Sequence, residues 1–175
     1  DGGNLLPFSR MGCNVVGVDM CEGRIRDARK FFEEEGAEGR FIASDVFQIE
    51  EFRHQFDLVI CHDVIEHIYD KSGFVQKCKQ MLKEDGVIFI SFPAWHMPFG
   101  GHQQLCQSRF LSHLPFFHLL PAALYGWILK AFKENEECVS GLLDIKRTKC
   151  PIELFERTVR KEGKKKKKSS ILKLF

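Results

Sequence analysis

The sequence predicts an α/β protein whose sheet is doubly wound and mostly parallel. Two observations carry this prediction. Four short apolar runs alternate along the chain with segments whose apolar residues fall at helical spacing, an order that gives right-handed strand–helix–strand units. The runs at 14–19, 56–61 and 87–92 are apolar almost throughout, as in strands that a parallel sheet buries on both faces.

The predicted elements follow one another with short connections. In chain order they are a helix at 4–9, a strand at 14–19, a helix with the apolar stripe Ile25, Ala28 and Phe32, strands at 40–43 and 56–61, a helix with the stripe Phe74, Val75, Cys78, Met81 and Leu82, a strand at 87–92 and a helix at 151–162. Gly36 ends the first long helix and residues 85–86 end the second, because glycine adopts the left-handed conformation that closes a helix. Pro93 stops the last strand.

The pattern changes after Pro93. Residues 94–132 are rich in aromatic side chains, hold four histidines and three prolines, and include the pair Gly100–Gly101. Open α/β sheets bind ligands at the carboxyl ends of their strands. We therefore expect residues 94–150 to form a helical cap over those ends.

Charge and cysteine usage exclude several classes of protein. The net charge is +2, but five of the positive charges are the lysines at 164–168, so the rest of the chain is mildly acidic. The broad basic field that grips nucleic acid is absent. The seven cysteines never occur as C-x-x-C, which indicates a reducing, cytoplasmic setting and argues against a disulfide framework or a zinc knuckle.

Polar residues stand where the first two predicted strands end. Asp19 closes the first strand, and its carboxylate can accept both hydroxyls of a ribose or, equally well, cap the next helix. Asp45 and Val46 follow the second strand and can hold an adenine edge. Gly2 and Gly3 allow a ligand close to the backbone, although a plain turn explains an isolated glycine pair as well.

Taken together, these segments resemble class I S-adenosylmethionine-dependent methyltransferases, and specifically the ubiquinone- and menaquinone-type group. Residues 1–6 resemble the tail of that family's glycine loop, and VVGVD, SDVF, FDLVICHDVIEH and DGVIFISFP resemble its later strand-end motifs in order over residues 1–93. The resemblance implies a Rossmann-like fold, with the cap following the family's fifth strand, and S-adenosylmethionine as cofactor. It assigns to that cofactor Gly2, Gly3, Asp19, Met20, Asp45, Val46, Cys61 and His62.

The resemblance also implies that the domain is truncated at both ends. The family's first strand and leading glycines would precede Asp1, and its closing strand hairpin would follow Gly163. We expect the methyltransferase domain to occupy residues 1–163. Residues 164–175 would then be either a basic tail or the product of a reading-frame slip.

Methyl transfer needs positioning above all, and needs a base only where the acceptor loses a proton. His102 and His96 are the candidate bases because they follow the last strand of the sheet. Trp95, His102 and Gln103 are the candidate substrate contacts, and the amides of Gln103 and Gln104 could orient a polar substrate. Most histidines in proteins are packing or surface residues. That is the competing interpretation for His96 and His102.

A second cluster, Asp63, Glu66 and His67, follows the third predicted strand. It resembles the E-x-x-E-H segment of ubiquinone-type O-methyltransferases, where such groups can hold a divalent ion. We favour the interpretation that Glu66 and His67 cap and buttress the next helix, and so predict no metal. An ion held by these three residues is the alternative.

Residues 116–132 are the most apolar stretch of the chain, but they include a histidine, a proline and a lysine. A membrane-spanning helix is therefore not expected. We expect this stretch to form a lid over an apolar pocket, and the second interpretation is a peripheral membrane contact.

The predicted activity is methyl transfer to a small-molecule acceptor, O-methylation being favoured over N- or C-methylation. The alternatives are a nicotinamide-dependent oxidoreductase and a non-catalytic scaffold. The sequence predicts no oligomeric state.

Overall fold

A computed structural model describes residues 2–163 of the chain. Residues up to Arg53 form one compact unit and those from His54 onward form another. The predicted basic tail at 164–175 lies outside the described residues, and the single domain predicted over 1–163 stays a prediction.

The first unit is a strand–helix–strand arrangement. Helix α1 (Leu6–Arg10) is followed by β1 (Val16–Asp19), α2 (Glu22–Glu34), β2 (Arg40–Ala43) and a 3-10 turn at Val46–Gln48. The two strands pair in parallel, from Val16 opposite Arg40 to Asp19 opposite Ala43. A parallel pair needs a crossover connection, which α2 supplies.

The core of this unit lies between α2 and the two strands. The predicted stripe of α2, Ile25, Ala28 and Phe32, is buried there, together with Val15 directly before β1 and Phe41 of β2. The rings of Phe32 and Phe41 meet edge to face with centroids 4.7 Å apart. A Cβ atom at Gly17 would lie 2.7 Å from the Phe41 ring, so only glycine fits at the centre of β1.

The second unit begins with another parallel pair. Strand β3 (Phe56–His62) and strand β4 (Leu82–Ser91) are joined by helix α3 (Lys71–Met81). Their register runs from Leu58 opposite Val87 to His62 opposite Ser91, with an irregularity between Phe56 and Leu58. The predicted α/β class with parallel strands is therefore confirmed, and in the described residues the strands form two two-stranded sheets.

One predicted boundary is wrong. Residues 85–86 lie inside β4 and do not close α3, because β4 starts at Leu82 and not at Val87. Leu82 is already opposite Phe56, and the Gln55 N–H donates to the Met81 carbonyl at 2.9 Å. Leu58 next pairs with Val87, so residues 83–86 lie within the irregularity between the two paired positions of β4.

The rest of the second unit is helical. It contains α4 (Arg109–Ser112), α5 (Ala122–Ala131), α6 (Glu136–Thr148) and α7 (Ile152–Gly163), with 3-10 turns at Ile65–His67, Gln103–Leu105 and Phe117–Leu119. The segment 94–150 has its own apolar core, formed by Trp95, Cys106, Leu111, Phe117, Tyr125, Leu129, Val139, Leu142 and Ile145. None of the helices in the described part of the chain is both long and apolar enough to cross a membrane.

Candidate functional site

In the first unit, two carboxylates stand at the carboxyl ends of the paired strands. Oδ1 of Asp19 accepts the Cys21 N–H at 2.8 Å, and Oδ2 lies 3.6 Å from the Arg24 guanidinium. Cys21, not Asp19, is the N-cap residue of α2. About a third of the Asp19 side chain is exposed, so the carboxylate keeps acceptor capacity for a ligand.

The other candidate cofactor residues of this unit also leave polar capacity or open space. Oδ1 of Asp45 caps the 3-10 turn by accepting the Phe47 N–H at 2.9 Å, and Val46 is half-buried beside it. Gly2 has φ +80°, a conformation that side chains disfavour, while a Cβ at Gly3 would meet nothing within 4 Å. An open glycine turn and carboxylates facing solvent fit a nucleoside ligand.

In the second unit a cleft opens at the carboxyl ends of β3 and β4. Its volume is about 450 Å³, and it is lined by His62, Asp63, Ser91, Phe92, Pro93, Phe99, His102, Gln104 and Leu105. The lining combines aromatic and aliphatic surface with a few polar groups, which is the usual make-up of a small-molecule site.

One edge of this cleft is organised around the end of β3. Nδ1 of His62 lies 2.6 Å from the Ser91 hydroxyl, and its Nε2 lies 3.4 Å from the Asp63 carboxylate. Asp63 has φ +52° and donates its N–H to the Ser91 carbonyl at 3.0 Å. Cys61 is buried, and a hydrogen bond with the Cys78 thiol lowers the Cys61 pKa.

The other polar centre is a buried carboxylate beneath His102. Oε1 of Glu66 lies 3.5 Å from Nε2 of His102 and 3.9 Å from Nε2 of His67. The Glu66 side chain is 2% exposed, and neither of its oxygens has a hydrogen-bond partner among the described residues. An orphaned buried carboxylate is costly for stability and is a common mark of a functional site.

Backbone geometry explains how His102 reaches Glu66. His102 has φ +57° and is the residue from which the 3-10 turn Gln103–Leu105 starts. A Cβ at Gly100 would lie 2.2 Å from the Ala94 carbonyl oxygen, and one at Gly101 would lie 2.1 Å from the His118 side chain. Two glycines are therefore required for the chain to fold back and present His102.

The remaining predicted substrate and base residues lie elsewhere. Trp95 is buried and its ring stands edge-on to His118, while His96 is exposed and does not line the cleft. Gln103 is fully buried, and its amide donates to the Pro98 and Leu114 carbonyls at 2.9 and 3.1 Å. Gln104, which the sequence also offered as a group that could orient a polar substrate, lines the cleft.

The cluster after β3 also differs from its expected form. The residue that caps α3 is Asp70, which accepts the Gly73 N–H at 2.8 Å, and not Glu66. Glu66, His67 and His102 bring their ligand atoms within 4.8 Å of one another, whereas Asp63 is not in this group. One carboxylate and two imidazoles suit a divalent transition-metal ion. Both Glu66 oxygens lack a hydrogen-bond partner among the described residues and can therefore act as ligands. These residues thus fit a metal.

Comparison with known proteins decides the family. The family model described as "Methyltransferase domain" matches residues 1–90, which is half of the chain. The chain belongs to the methyltransferase domain family. Its class is that of the S-adenosylmethionine-dependent enzymes, so the family, the Rossmann-like fold and the cofactor predicted from the sequence are confirmed, and the nicotinamide alternative is wrong.

Curated relatives of this methyltransferase domain include ubiquinone biosynthesis O-methyltransferases. It is 34% identical to that of Chelativorans sp. over 92 residues, covering 51% of this chain and 36% of the relative. It is 36% identical to that of Shewanella pealeana over 93 residues, covering 51% and 39%. The matches thus span about two fifths of the relatives' length.

Solved structures show the same fold over nearly the whole methyltransferase domain. The plantazolicin methyltransferase BamL, solved in complex with a triazolic desmethylPZN analog and SAH, aligns with a TM-score of 0.62 at 15% identity, covering 95% of this chain and 52% of BamL. The cyclase SpnF aligns with a TM-score of 0.57 at 13% identity, covering 93% and 46%. These likenesses establish the fold and leave the reaction to be argued from the site.

Proposed function

We propose that this methyltransferase domain transfers a methyl group from S-adenosylmethionine to an oxygen atom of a small, mostly apolar acceptor. The observation that carries the proposal is the Glu66–His102 pair beside the cleft at the ends of β3 and β4. The O-methyltransferase relatives, which share about a third of their residues with this chain over the matched region, support the choice of oxygen.

The cofactor supplies an activated methyl group on a sulfonium centre. In the first unit, Asp19 would accept hydrogen bonds from the ribose hydroxyls while keeping its bond to Cys21. Asp45 and Val46 would hold the adenine, and the turn at Gly2 and Gly3 would allow close approach of the remainder. For Cys61 and His62, at the end of β3, the assignment to the cofactor stays a prediction from the sequence.

His102 is the proposed general base. An acceptor hydroxyl must lose its proton as its oxygen attacks, and a neutral imidazole beside the cleft can take that proton. The resulting imidazolium would face the buried Glu66 carboxylate at 3.5 Å. In this arrangement the carboxylate would orient the ring and interact favourably with its positive charge.

A divalent ion held by Glu66, His67 and His102 is the second candidate at the same place, favoured by their common approach within 4.8 Å. Bound there, it would supply a Lewis acid that favours the ionised form of an acceptor hydroxyl. This arrangement occupies His102 as a ligand, so the two candidates exclude each other.

The acceptor is proposed to be apolar with at least one hydroxyl group. Phe92, Phe99 and Leu105 give the cleft an apolar wall, and Gln104 stands at its edge as a polar contact. Trp95 and Gln103 are buried and do not line the cleft, so we propose that they support its structure and do not touch the acceptor.

We also propose a peripheral membrane contact through residues 116–132. Large apolar side chains of this stretch are exposed, namely Phe116, Leu119, Leu124, Trp127 and Phe132. Lys130 stands among them on α5, which suits an interfacial helix on anionic lipid. Loss of co-sedimentation with vesicles in Trp127→Ser would support this membrane contact, and unchanged vesicle binding would contradict it.

The free thiols of all seven cysteines are consistent with a reducing, cytoplasmic compartment.

The experiment that tests the activity is transfer of labelled methyl from S-adenosylmethionine to a panel of phenolic and catecholic acceptors. His102→Gln should lower kcat by at least about 10²-fold, the usual contribution of a general base. His113→Gln is the matched control, since His113 is an exposed imidazole on the C-terminal side of α4.

Chelation separates the two candidates for the site. Activity that survives a chelator supports His102 as base, and activity lost on chelation and restored by a divalent ion supports the metal. Binding of S-adenosylhomocysteine without transfer to any hydroxylated acceptor would favour the scaffold alternative and contradict the proposal.

A further inference from the structure

A second group of potential ligands lies within the helical segment 94–150, apart from the cleft. Cys106 ends the 3-10 turn that starts at His102, Glu134 lies in the connection between α5 and α6, and Cys138 stands in the first turn of α6. Their two thiols and one carboxylate oxygen all lie within 4.8 Å of one another. Cys106 and Glu134 are buried, and Cys138 is half-buried.

Glu134 is a buried carboxylate without a cationic partner. Its Oε2 accepts the Gln107 N–H and its Oε1 accepts the Ser108 N–H, each at 2.8 Å. Within residues 2–163, no lysine, arginine or histidine forms an ion pair with it. Buried charges in proteins are normally paired or bound to a metal, and the negative charge of Glu134 is stabilised by two backbone N–H groups but by no cationic side chain of the described residues.

Burial, together with this carboxylate, raises the pKa values of both thiols. Burial raises the pKa of Cys106 to about 12, and the Glu134 carboxylate adds to the rise. Burial and the same carboxylate raise the pKa of Cys138, whose thiol points at the Leu105 carbonyl at 3.8 Å. Without a cation the pocket therefore keeps both thiols protonated. A divalent ion reverses this preference, because thiolates bind it directly.

We propose that Cys106, Glu134 and Cys138 form a binding site for one divalent transition-metal ion, with Zn²⁺ as the expected occupant. Two thiolates and a carboxylate are a ligand set that Zn²⁺ takes. Binding would release the two thiol protons to solvent, leaving the ion with three anionic ligands. Bonds of about 2.3 Å to sulfur and about 2.0–2.2 Å to oxygen require only a small contraction of the cluster, and a water molecule would fill the fourth position.

The proposed site would act on the loop that carries His102. Cys106 follows the turn Gln103–Leu105, which begins at His102, and Glu134 already holds the next two backbone N–H groups. A bound ion would tie this loop to the start of α6. The site shares no residue with the Glu66 cluster, which contains no thiol. The proposed metal site can therefore be tested independently of the proposed activity.

The test is a titration of the full 175-residue chain with Co²⁺ under reducing conditions. Thiolate ligands give cobalt a charge-transfer absorption in the near ultraviolet, which a Glu–His–His site does not produce. We expect this absorption to saturate at one ion per chain and to disappear on addition of Zn²⁺. Cys106→Ser and Cys138→Ser should abolish it. Cys150→Ser, which removes another buried thiol of the same unit, should retain it.

Two further measurements keep the test decisive if a serine variant fails to fold. Glu134→Gln should weaken Co²⁺ binding by about tenfold or more, and Zn²⁺ should slow modification of Cys138 by a thiol reagent to a similar degree. Absence of the charge-transfer absorption in the reduced, folded chain would overturn the proposal. So would its persistence in both cysteine variants, or a Cys106–Cys138 disulfide forming in the presence of excess Zn²⁺.

Discussion

Nε2 of His102 lies 3.5 Å from Oε1 of Glu66, and that carboxylate is almost completely buried. The two residues come from different parts of the second unit. Glu66 belongs to the 3-10 turn after β3, and His102 to the fold-back after β4. Because a parallel pair places the ends of both strands at one edge, residues that follow each strand meet there.

The first prediction concerns this pair. Glu66→Gln keeps the shape of the side chain but removes the charge that would stabilise an imidazolium on His102. We expect kcat to fall by about 10²-fold, with affinity for S-adenosylhomocysteine unchanged. Steady-state kinetics and isothermal titration measure the two quantities. Glu156→Gln, on the exposed face of α7, is the control, and equal turnover in both variants would exclude the pair from the reaction.

The second prediction concerns cofactor binding by Asp19. Asp19→Ala should weaken S-adenosylhomocysteine binding by about 1.5–3 kcal/mol, the scale of a lost charge-assisted hydrogen bond. Asp19→Asn, which preserves an oxygen acceptor for the Cys21 N–H, separates the ligand contact from the local turn. Asp27→Asn, an exposed carboxylate on α2, should bind as the unmodified chain does. Affinity within twofold in an intact Asp19→Ala fold would show that Asp19 does not hold the ribose.

The third prediction separates the two adjacent glutamines. Gln103→Ala leaves the Pro98 and Leu114 carbonyls without their buried donor, so the free energy of unfolding should fall by about 1–3 kcal/mol. Gln104→Ala should leave stability within about 0.5 kcal/mol and raise the KM for the acceptor. Denaturant titration and acceptor kinetics measure these effects. A raised KM in Gln103→Ala together with a loss of stability in Gln104→Ala would show that Gln103, and not Gln104, contacts the acceptor.

The fourth prediction concerns pH and His118. Its Nε2 lies 2.7 Å from the Trp95 carbonyl, its Nδ1 has no described partner, and burial lowers its pKa from 6.5, with the Lys146 charge contributing. Below pH 6.5, His118 therefore binds a proton more readily in the unfolded chain than in the folded chain. Stability should be greatest above pH 6.5 and should decline as the pH falls below it.

The measurement is the melting temperature as a function of pH. His118→Gln should reduce the acid slope, and His113→Gln, which changes an exposed ring, should preserve it. An unchanged slope in a folded His118→Gln variant would assign the acid sensitivity to another group.

The sequence by itself determined the order and type of the main elements, together with the family. Ile25, Ala28 and Phe32 repeat at helical spacing, and all three are buried on α2. Strand β2 lies at the predicted residues, because its apolar run is bounded by polar neighbours on both sides. Periodicity and strand-end motifs are local properties of the chain, so one sequence is enough to recognise them.

Only the tertiary structure decided which polar groups meet. The sequence could not pair Glu66 with His102, bury Gln103 while exposing Gln104, or gather Cys106, Glu134 and Cys138. It also placed the start of β4 too late, since the strand already pairs with β3 at Leu82, ahead of the irregularity that holds residues 85–86. Contacts between residues far apart in the chain depend on how helices and strands pack, and burial then sets the charge and reactivity of the groups brought together.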